Sequence, residues 1–327
     1  MSPHAPSAGS GPAGATILSI VIPMRNEEAS IEPFLAAVLP VLRTCCDDRF
    51  EIVAVNDGSS DRTLDRLLEQ RLPQLKVVDL SRNFGKEAAL TAGLQHAGGQ
   101  AVIPMDADLQ DPPELIPAML DRWKAGFEVV SARRVLRDED TPMKRLTAQA
   151  FYAVMHRLAE IPIPANVGDF RLMDAAVVRA LLTLPERTRF NKGIFAWVGF
   201  RQTFIDFERP ARREGGSAWT ARALWRLAID GITCFSSLPL RACSLIGVLM
   251  GLAAFTYAAW VIVSTLWFGR DVPGYASLIV VMLVCSALIL MSIGVLGEYL
   301  ARVFVEVKGR PLYIIRRVWD TQGSRDG

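Results

Sequence analysis

AVIPMDADLQDPPELIPAMLDRW, from Ala101 to Trp123, joins an apolar run, an acidic turn and an amphipathic stretch in that order. AVIPM reads as a buried strand, and Pro112 and Pro113 fit the first turn of the helix that PELIPAMLDRW continues. Asp106 and Asp108 stand one residue apart at the strand end, where two carboxylates can share a hard divalent cation and that cation can hold a diphosphate. The spacing alone is a weak signal, because Asp138 and Asp140 repeat it in RRVLRDEDTP, which reads as a solvated loop. What distinguishes the first pair is the strand before it and the helix after it.

The same order recurs upstream. From Ile17 to Val130 the chain runs ILSIVIP, IEPFLAAVLPVLRT, EIVAVN, DRTLDRLLEQ, LKVVDL, KEAALTAGLQHA, AVIPM, PELIPAMLDRW and EVVSA. Apolar runs alternating with amphipathic ones predict an α/β fold, a mostly parallel sheet with crossover helices, and the near-continuous Val and Ile predict helices on both faces. Ligands of such sheets bind at the carboxyl ends of the strands, where RNEE, NDGSSD, SRNFGKE and DADLQD fall. In NDGSSD, Gly58 permits a tight turn and Asp57 becomes a candidate acceptor for the N–H of a nucleotide base. In SRNFGKE, Arg82, Gly85 and Lys86 come just before a helix whose N-terminal amides favour anions.

Beyond Val130 the pattern is less regular. It comprises a basic helix from about Pro142 to Glu160, a loop carrying GDFRLMD, an aromatic-rich stretch from Arg189 to Phe207, and an amphipathic helix from Trp219 to Leu238. The last precedes an apolar run directly and is predicted to lie in a membrane interface. Asp169 and Arg171, a carboxylate and a guanidinium that an extended backbone puts on one face, can treat an acceptor hydroxyl and phosphate separately.

The 327 residues are 51% hydrophobic, and the excess is concentrated near the C-terminus. No residue from Ala242 to Phe268 is charged, nor any from Val272 to Gly297. A helix crossing a bilayer needs about 20 apolar residues, so two spans are predicted. Only Gly269, Arg270 and Asp271 separate them, which makes an antiparallel hairpin with a tiny outer loop. Arg222, Arg226 and Arg241 precede the hairpin, and Arg302, Lys308, Arg310, Arg316 and Arg317 follow it, which puts both flanks and both termini in the cytoplasm. A net charge of +2 gives no reason to expect nucleic acid as a partner. The five cysteines are odd in number and lack a Cys-x-x-Cys pair, which fits reduced thiols. Residues 1–16 are rich in Pro, Gly, Ala and Ser without the apolar core of a signal peptide and are expected to be disordered. The predicted organisation is therefore a tail (1–16), a cytosolic domain (17–215), an interfacial helix (216–240), two spans (241–300, at about 242–268 and 272–297) and a cytosolic C-terminal tail (301–327).

Taken in order, VIPMRNEE, VNDGSSDRT, LSRNFGKEAAL, MDADLQDPPE, VGDFRLMD, KGIFAWVGF and EVKGRPLY resemble the polyprenyl-phosphate branch of glycosyltransferase family 2. That branch includes dolichyl-phosphate mannosyltransferases and bacterial undecaprenyl-phosphate glucosyl and aminoarabinosyl transferases. The resemblance runs from about Ile17 to Tyr313. It implies a GT-A-type nucleotide-sugar fold, a nucleotide-diphosphate sugar donor, a polyprenyl-phosphate acceptor, Mg2+ or Mn2+ as cofactor, homo-oligomers and a bacterial inner-membrane location. Carried over by motif, Pro23, Glu27, Val55 and Asp57 would line the nucleotide pocket, Asp106, Ala107 and Asp108 would meet ribose and diphosphate, and Asp108 and Gln110 would bind the metal. Arg25, Lys86, Lys192 and Ser217 complete the donor set, with Arg133 or Arg134, and Arg212, as further diphosphate contacts. Asp106, Asp108, Asp169 and Arg171 are the implied catalytic group.

The chain departs from the family pattern at Asn56, where many relatives have Asp, and at Ala218, where relatives often carry Lys. No Ser, His and Asp triad can be assembled from His4, His96 or His156, which fits direct, inverting displacement. UDP-glucose is the expected donor, with GDP-mannose, UDP-N-acetylglucosamine and an aminoarabinose donor also open. Two other readings compete. A processive polysaccharide synthase would need more spans and a Gln-x-x-Arg-Trp segment, which is absent, and an idle membrane scaffold would not require the acidic motifs to persist.

Overall fold

The computed structural model describes residues 16–134, 167–184, 186, 194–195, 197–207, 238–268 and 274–320. The expected tail at 1–15, the basic helix, the Asp138 and Asp140 pair, and nearly all of the interfacial helix lie outside them. The described chain forms two units, one built on a sheet and one of two long helices.

In the first unit, strands and helices alternate as predicted: β1 (Leu18–Met24), α1 (Ile31–Cys46), β2 (Phe50–Asn56), α2 (Thr63–Glu69), β3 (Leu75–Leu80), α3 (Lys86–His96), β4 (Ala101–Pro104), a 3-10 turn (Pro113–Leu115) running into α4 (Ile116–Lys124), and β5 (Val129–Arg134). They are followed by β6 (Val167–Asp174), α5 (Ala175–Thr183) and β7 (Gln202–Phe207). Eight strands make one sheet in the order β7-β5-β6-β4-β1-β2-β3-β8, with β8 at Ile315–Asp320. Strands β4, β1, β2 and β3 are parallel neighbours, so their carboxyl ends open on the same edge.

Two expectations are corrected here. GDFRLMD is not a loop; it is most of β6, an internal strand antiparallel to both β4 and β5. The segment after the apolar helices is not only a tail, because β8 pairs antiparallel with β3 and closes one side of the sheet.

The two sheet faces are covered differently. On one, α1 buries Ile31, Phe34, Val38 and Leu42 at the spacing of a single helical face, joined by Leu67 of α2 and by Ile116, Met119 and Leu120 of α4. On the other lie α3 and α5. Helix α3 is built of small residues because it sits close to the sheet: a Cβ on Gly93 would come 2.3 Å from Val21 Cγ1 and 3.0 Å from Val55 Cγ2. That approach seals the sheet beneath the loops that matter for function, at a packing density that admits no added methyl group.

The second unit contains α6 (Leu238–Phe268) and α7 (Tyr275–Val307), of 31 and 33 residues. At about 1.5 Å per residue both exceed the roughly 30 Å of a bilayer core. Leu249, Phe255, Trp260, Leu290 and Met291 are exposed along them, and both helices are long and apolar enough to cross a membrane. Helix α7 continues past the expected end at 297 because Arg302 pairs with Glu298 one turn earlier, satisfying the first charges within the helix. Cys45, Cys46, Cys243 and Cys285 are free thiols, as expected.

Candidate functional site

At the carboxyl ends of β1, β2 and β4 lies a cavity of about 340 Å³, lined by Pro23, Met24, Arg25, Glu27, Asp57, Asn83, Gly85, Lys86, Asp106, Ala107 and Asp108. Loops from four parallel strands meet there, and hydrogen bonds between side chains and neighbouring backbone fix their positions. Asn26, held at φ 55°, donates its amide to Ser59 Oγ at 3.1 Å and accepts the Ser60 amide on Oδ1 at 2.8 Å. Glu27 N donates to Thr63 Oγ1 at 2.9 Å, and the Glu27 carboxylate accepts from Ser30 Oγ at 2.5 Å. The motifs RNEE and DGSSDRT are thus two halves of one latch.

Asp57 is 3% exposed, and its carboxylate accepts the amides of Phe84 at 2.7 Å and Gly85 at 3.0 Å. Its neighbour Gly58, at φ 59°, lets the β2 loop lie directly on the β3 loop: a Cβ there would stand 2.4 Å from Arg82 C and Asn83 N. Two amides expected to be available to an anion before α3 are therefore taken by Asp57. Lys86, at the first position of α3, reaches Asp106 at 2.7 Å and Asp169 at 3.3 Å. Burial works against its ammonium, but the Asp106 and Asp169 carboxylates outweigh that and hold its pKa above the usual lysine value. Lys86 draws β4 and β6 together rather than standing free.

The acidic turn folds back on itself. Asp108 Oδ1 accepts the Gln110 amide at 3.1 Å, while Gln110 Oε1 is shielded from solvent and has no hydrogen-bond partner among the described residues. A buried amide oxygen left bare is the kind of hard donor that Mg2+ or Mn2+ takes, although Gln110 is not among the residues that line the cavity. Among the described residues no three His, Cys, Asp or Glu side chains are grouped so as to hold a metal ion. Asp111, which the sequence did not single out, lies beneath: burial, then the nearby Asp106, pushes its carboxyl up to about 6, with Arg134 pulling the other way.

Several expected residues prove to be committed elsewhere. Val55 faces α3 within the core and does not line the cavity, because alternate side chains of an inner parallel strand face the covering helix. Arg133 is bound to Asp206, opposite it in the β5 and β7 pair, at 2.6 and 2.9 Å. Arg171 shares β6 with Asp169 but is buried: its guanidinium donates to Gly168 O at 2.6 Å and lies over the Phe195 ring at 4.0 Å, and burial lowers its pKa to about 10 against the pull of Asp169. Lys192, Arg212 and Ser217 lie outside the described residues. Gly85 lines the cavity as SRNFGKE suggested, whereas Met24 and Asn83 line it without having been anticipated, although the same motif held the signal for Asn83.

Residues 19–182 match Glycosyl transferase family 2. The protein called uncharacterized glycosyltransferase sll0501 of Synechocystis sp. is 52% identical over 304 residues, 92% of this chain and 95% of its own. The SfII prophage-derived bactoprenol glucosyl transferase of Shigella flexneri is 45% identical over 302 residues, 92% of this chain and 97% of its own. Among solved structures, mannosyl-3-phosphoglycerate synthase from Rubrobacter xylanophilus is 18% identical with a TM-score of 0.46, over 66% of this chain and 71% of that one.

Proposed function

Because this chain belongs to glycosyl transferase family 2, we propose that it moves one sugar from a nucleotide-diphosphate sugar to undecaprenyl phosphate or a similar polyprenyl phosphate at the cytoplasmic face of a bacterial inner membrane. The observation that carries this is the presence, in one chain, of an acidic cavity at the carboxyl ends of the parallel strands and two helices long and apolar enough to cross a bilayer. The relative named for bactoprenol and glucose supports a lipid acceptor and makes UDP-glucose the first donor to test.

Pro23, Glu27 and Asp57 receive the nucleotide, and Asp106 and Ala107 meet the ribose and diphosphate. Asp108 and Gln110 would hold Mg2+ or Mn2+, which when bound neutralises charge developing on the departing nucleotide. A lipid phosphomonoester with a second pKa of about 6 is already anionic at neutral pH, so Asp169 has no demanding proton to remove and serves to orient the acceptor. The acceptor oxygen forms its bond to the anomeric carbon as the bond to the diphosphate breaks, a single displacement that inverts the centre. Both helices span the membrane with their flanks on the cytoplasmic side, and copies of the chain associate through them as a homo-oligomer.

The test is transfer of label from radiolabelled UDP-glucose, GDP-mannose and UDP-N-acetylglucosamine into organic-extractable undecaprenyl phosphate product, with Mg2+, Mn2+ or EDTA. One donor giving an EDTA-sensitive lipid product that is lost in Asp108→Ala is expected. Nucleotide binding without lipid-linked label from any lipid phosphate would refute the acceptor, and absence of nucleotide binding would refute the transferase reading of the cavity.

A further inference from the structure

Beneath the cavity, three polar side chains tie β2, β3 and β8 together. Asn56 and Asp79 face each other in the parallel β2 and β3 pair and are 3% and 1% exposed. Asn56 Nδ2 donates to Asp79 Oδ1 at 2.7 Å, and Asn56 Oδ1 accepts the Ser59 amide at 3.2 Å. Both ends of the amide are therefore used, which an Asp at this position could not reproduce: it would set two carboxylates against each other. Asp79 Oδ2 has no hydrogen bond, and the Arg316 guanidinium stands 3.6 Å from it while donating to Ser81 O at 2.8 Å. The β3 and β8 register shifts between Asp79 and Leu80, pairing them with Arg317 and Ile315, so Arg316 is the extra residue of an irregularity. Such irregularities re-aim a side chain, here toward a buried carboxylate that needs a matching charge.

We propose that Arg316, Asp79 and Asn56 form a positioning relay for the donor pocket: Arg316 holds Asp79, Asp79 holds Asn56, and Asn56 holds the turn that carries Asp57 and Ser59. Asp57 in turn lies on the β3 loop through Phe84 and Gly85. A strand that enters the sheet only after both apolar helices in the chain thus sets the geometry of the nucleotide end of the cavity. The departure from the family pattern at Asn56 has its reason in the carboxylate opposite it. The relay rests on the reading of this cavity as a nucleotide site, and its residues act through Asp57 without touching the donor.

The experiment measures binding of UDP and of GDP, each with Mn2+, to the full chain in detergent by calorimetry, together with melting temperature and, once a donor is known, donor and acceptor KM. Whichever nucleotide binds the wild type is carried through the variants. Arg316→Ala is expected to weaken it about tenfold with acceptor KM unchanged, and Arg316→Lys, which keeps the charge, to stay within about threefold. Asn56→Asp should weaken binding more than Arg316→Ala. Asn56→Asp combined with Asp79→Asn, which exchanges the two groups and restores one donor facing one carboxylate but leaves Arg316 without its charge partner, should bind better than Asn56→Asp alone and stop near the level of Arg316→Ala. A lower melting temperature with nucleotide affinity unchanged in Arg316→Ala would make the three residues merely structural and overturn the relay. An exchanged pair no better than Asn56→Asp would overturn it as well. If neither nucleotide binds the wild type, the nucleotide reading of the cavity fails first and the relay with it.

Discussion

Replacing Asp57 by Asn changes almost no volume and removes one acceptor. The native carboxylate takes the Phe84 amide at 2.7 Å and the Gly85 amide at 3.0 Å in a site 3% exposed. An Asn side chain can serve only one of them with its oxygen, and its NH2 then faces the other donor. Gly85 N has a second acceptor in Asn83 Oδ1 at 3.0 Å, so the better arrangement keeps the amide oxygen on Phe84. Losing one charge-assisted bond at a buried site costs about 1.5–3 kcal/mol, and the bond remaining to Asn83 brings the expected figure to about 2 kcal/mol. For a domain of this size about 1 kcal/mol moves Tm by roughly 2–4 °C, so a fall of about 4–8 °C is expected. The assay is thermal unfolding of the purified full chain in detergent, without nucleotide, followed by tryptophan fluorescence. Asp57→Ala should fall further, because neither amide then has a carboxylate partner. A Tm for Asp57→Asn within about a degree of wild type would refute the reasoning, since it would mean that the two loop amides do not depend on the charge.

Gly58→Ala forces a Cβ to 2.4 Å from Arg82 C and Asn83 N at φ 59°, so the β2 and β3 loops must part; donor KM should rise at least about tenfold, and an unchanged KM would show that the loop contact is dispensable. Asp111 keeps its proton in the folded state up to about pH 6 against a usual value of 3.8, so stability is full below about pH 4 and lost as pH rises through 6, by an amount on the order of 3 kcal/mol. Asp111→Asn should flatten that slope, matching wild type near pH 4 and exceeding it near pH 7.5 in thermal melts with EDTA present; parallel profiles would refute the assignment. Arg133→Ala should leave donor KM within about twofold, because its guanidinium already serves Asp206 at the exposed rim. Arg134→Ala should instead raise the pH at which the Asp111 effect appears, since Arg134 is the cation drawing that carboxyl down.

The central strands were legible because burial on both faces leaves an uninterrupted apolar signature: LSIVIPM and FEIVAVN admit few other readings. Strand β6 carries Asp169 and Arg171 in its interior, and no single-chain pattern announces that a charged strand will be inserted antiparallel between β4 and β5. Strand β8, IRRVWD, looked like a basic flank of the membrane segment because an edge strand needs only partial burial and tolerates charge. At the site, Asp57, Asp106 and Asp108 fell where the motifs put them, since a turn at a strand end leaves its residues little freedom. Val55 did not, because motif proximity says nothing about which side of the sheet a residue faces. Arg133 did not, because its partner Asp206 is 73 residues away in sequence.

The electrostatics of the cavity bear on the cation of the proposed reaction. Its lining carries four carboxylates, those of Glu27, Asp57, Asp106 and Asp108, against the two cations Arg25 and Lys86, and Lys86 is already engaged by Asp106 and Asp169. A nucleotide diphosphate adds further negative charge, and like charges confined to one cleft repel unless something is added to offset them. In the proposed reaction two sources of positive charge would offset this: a divalent ion held by Asp108 and Gln110, and the half-exposed Lys86, whose flexible stem can turn from Asp106 toward a phosphate. The first would offset the charge that the donor brings. The second would free Asp106 for the proposed ribose contact and Asp169 for the proposed acceptor contact. Without a donor, then, the ion pairs of Lys86 hold Asp106 and Asp169 together at the mouth of β4 and β6.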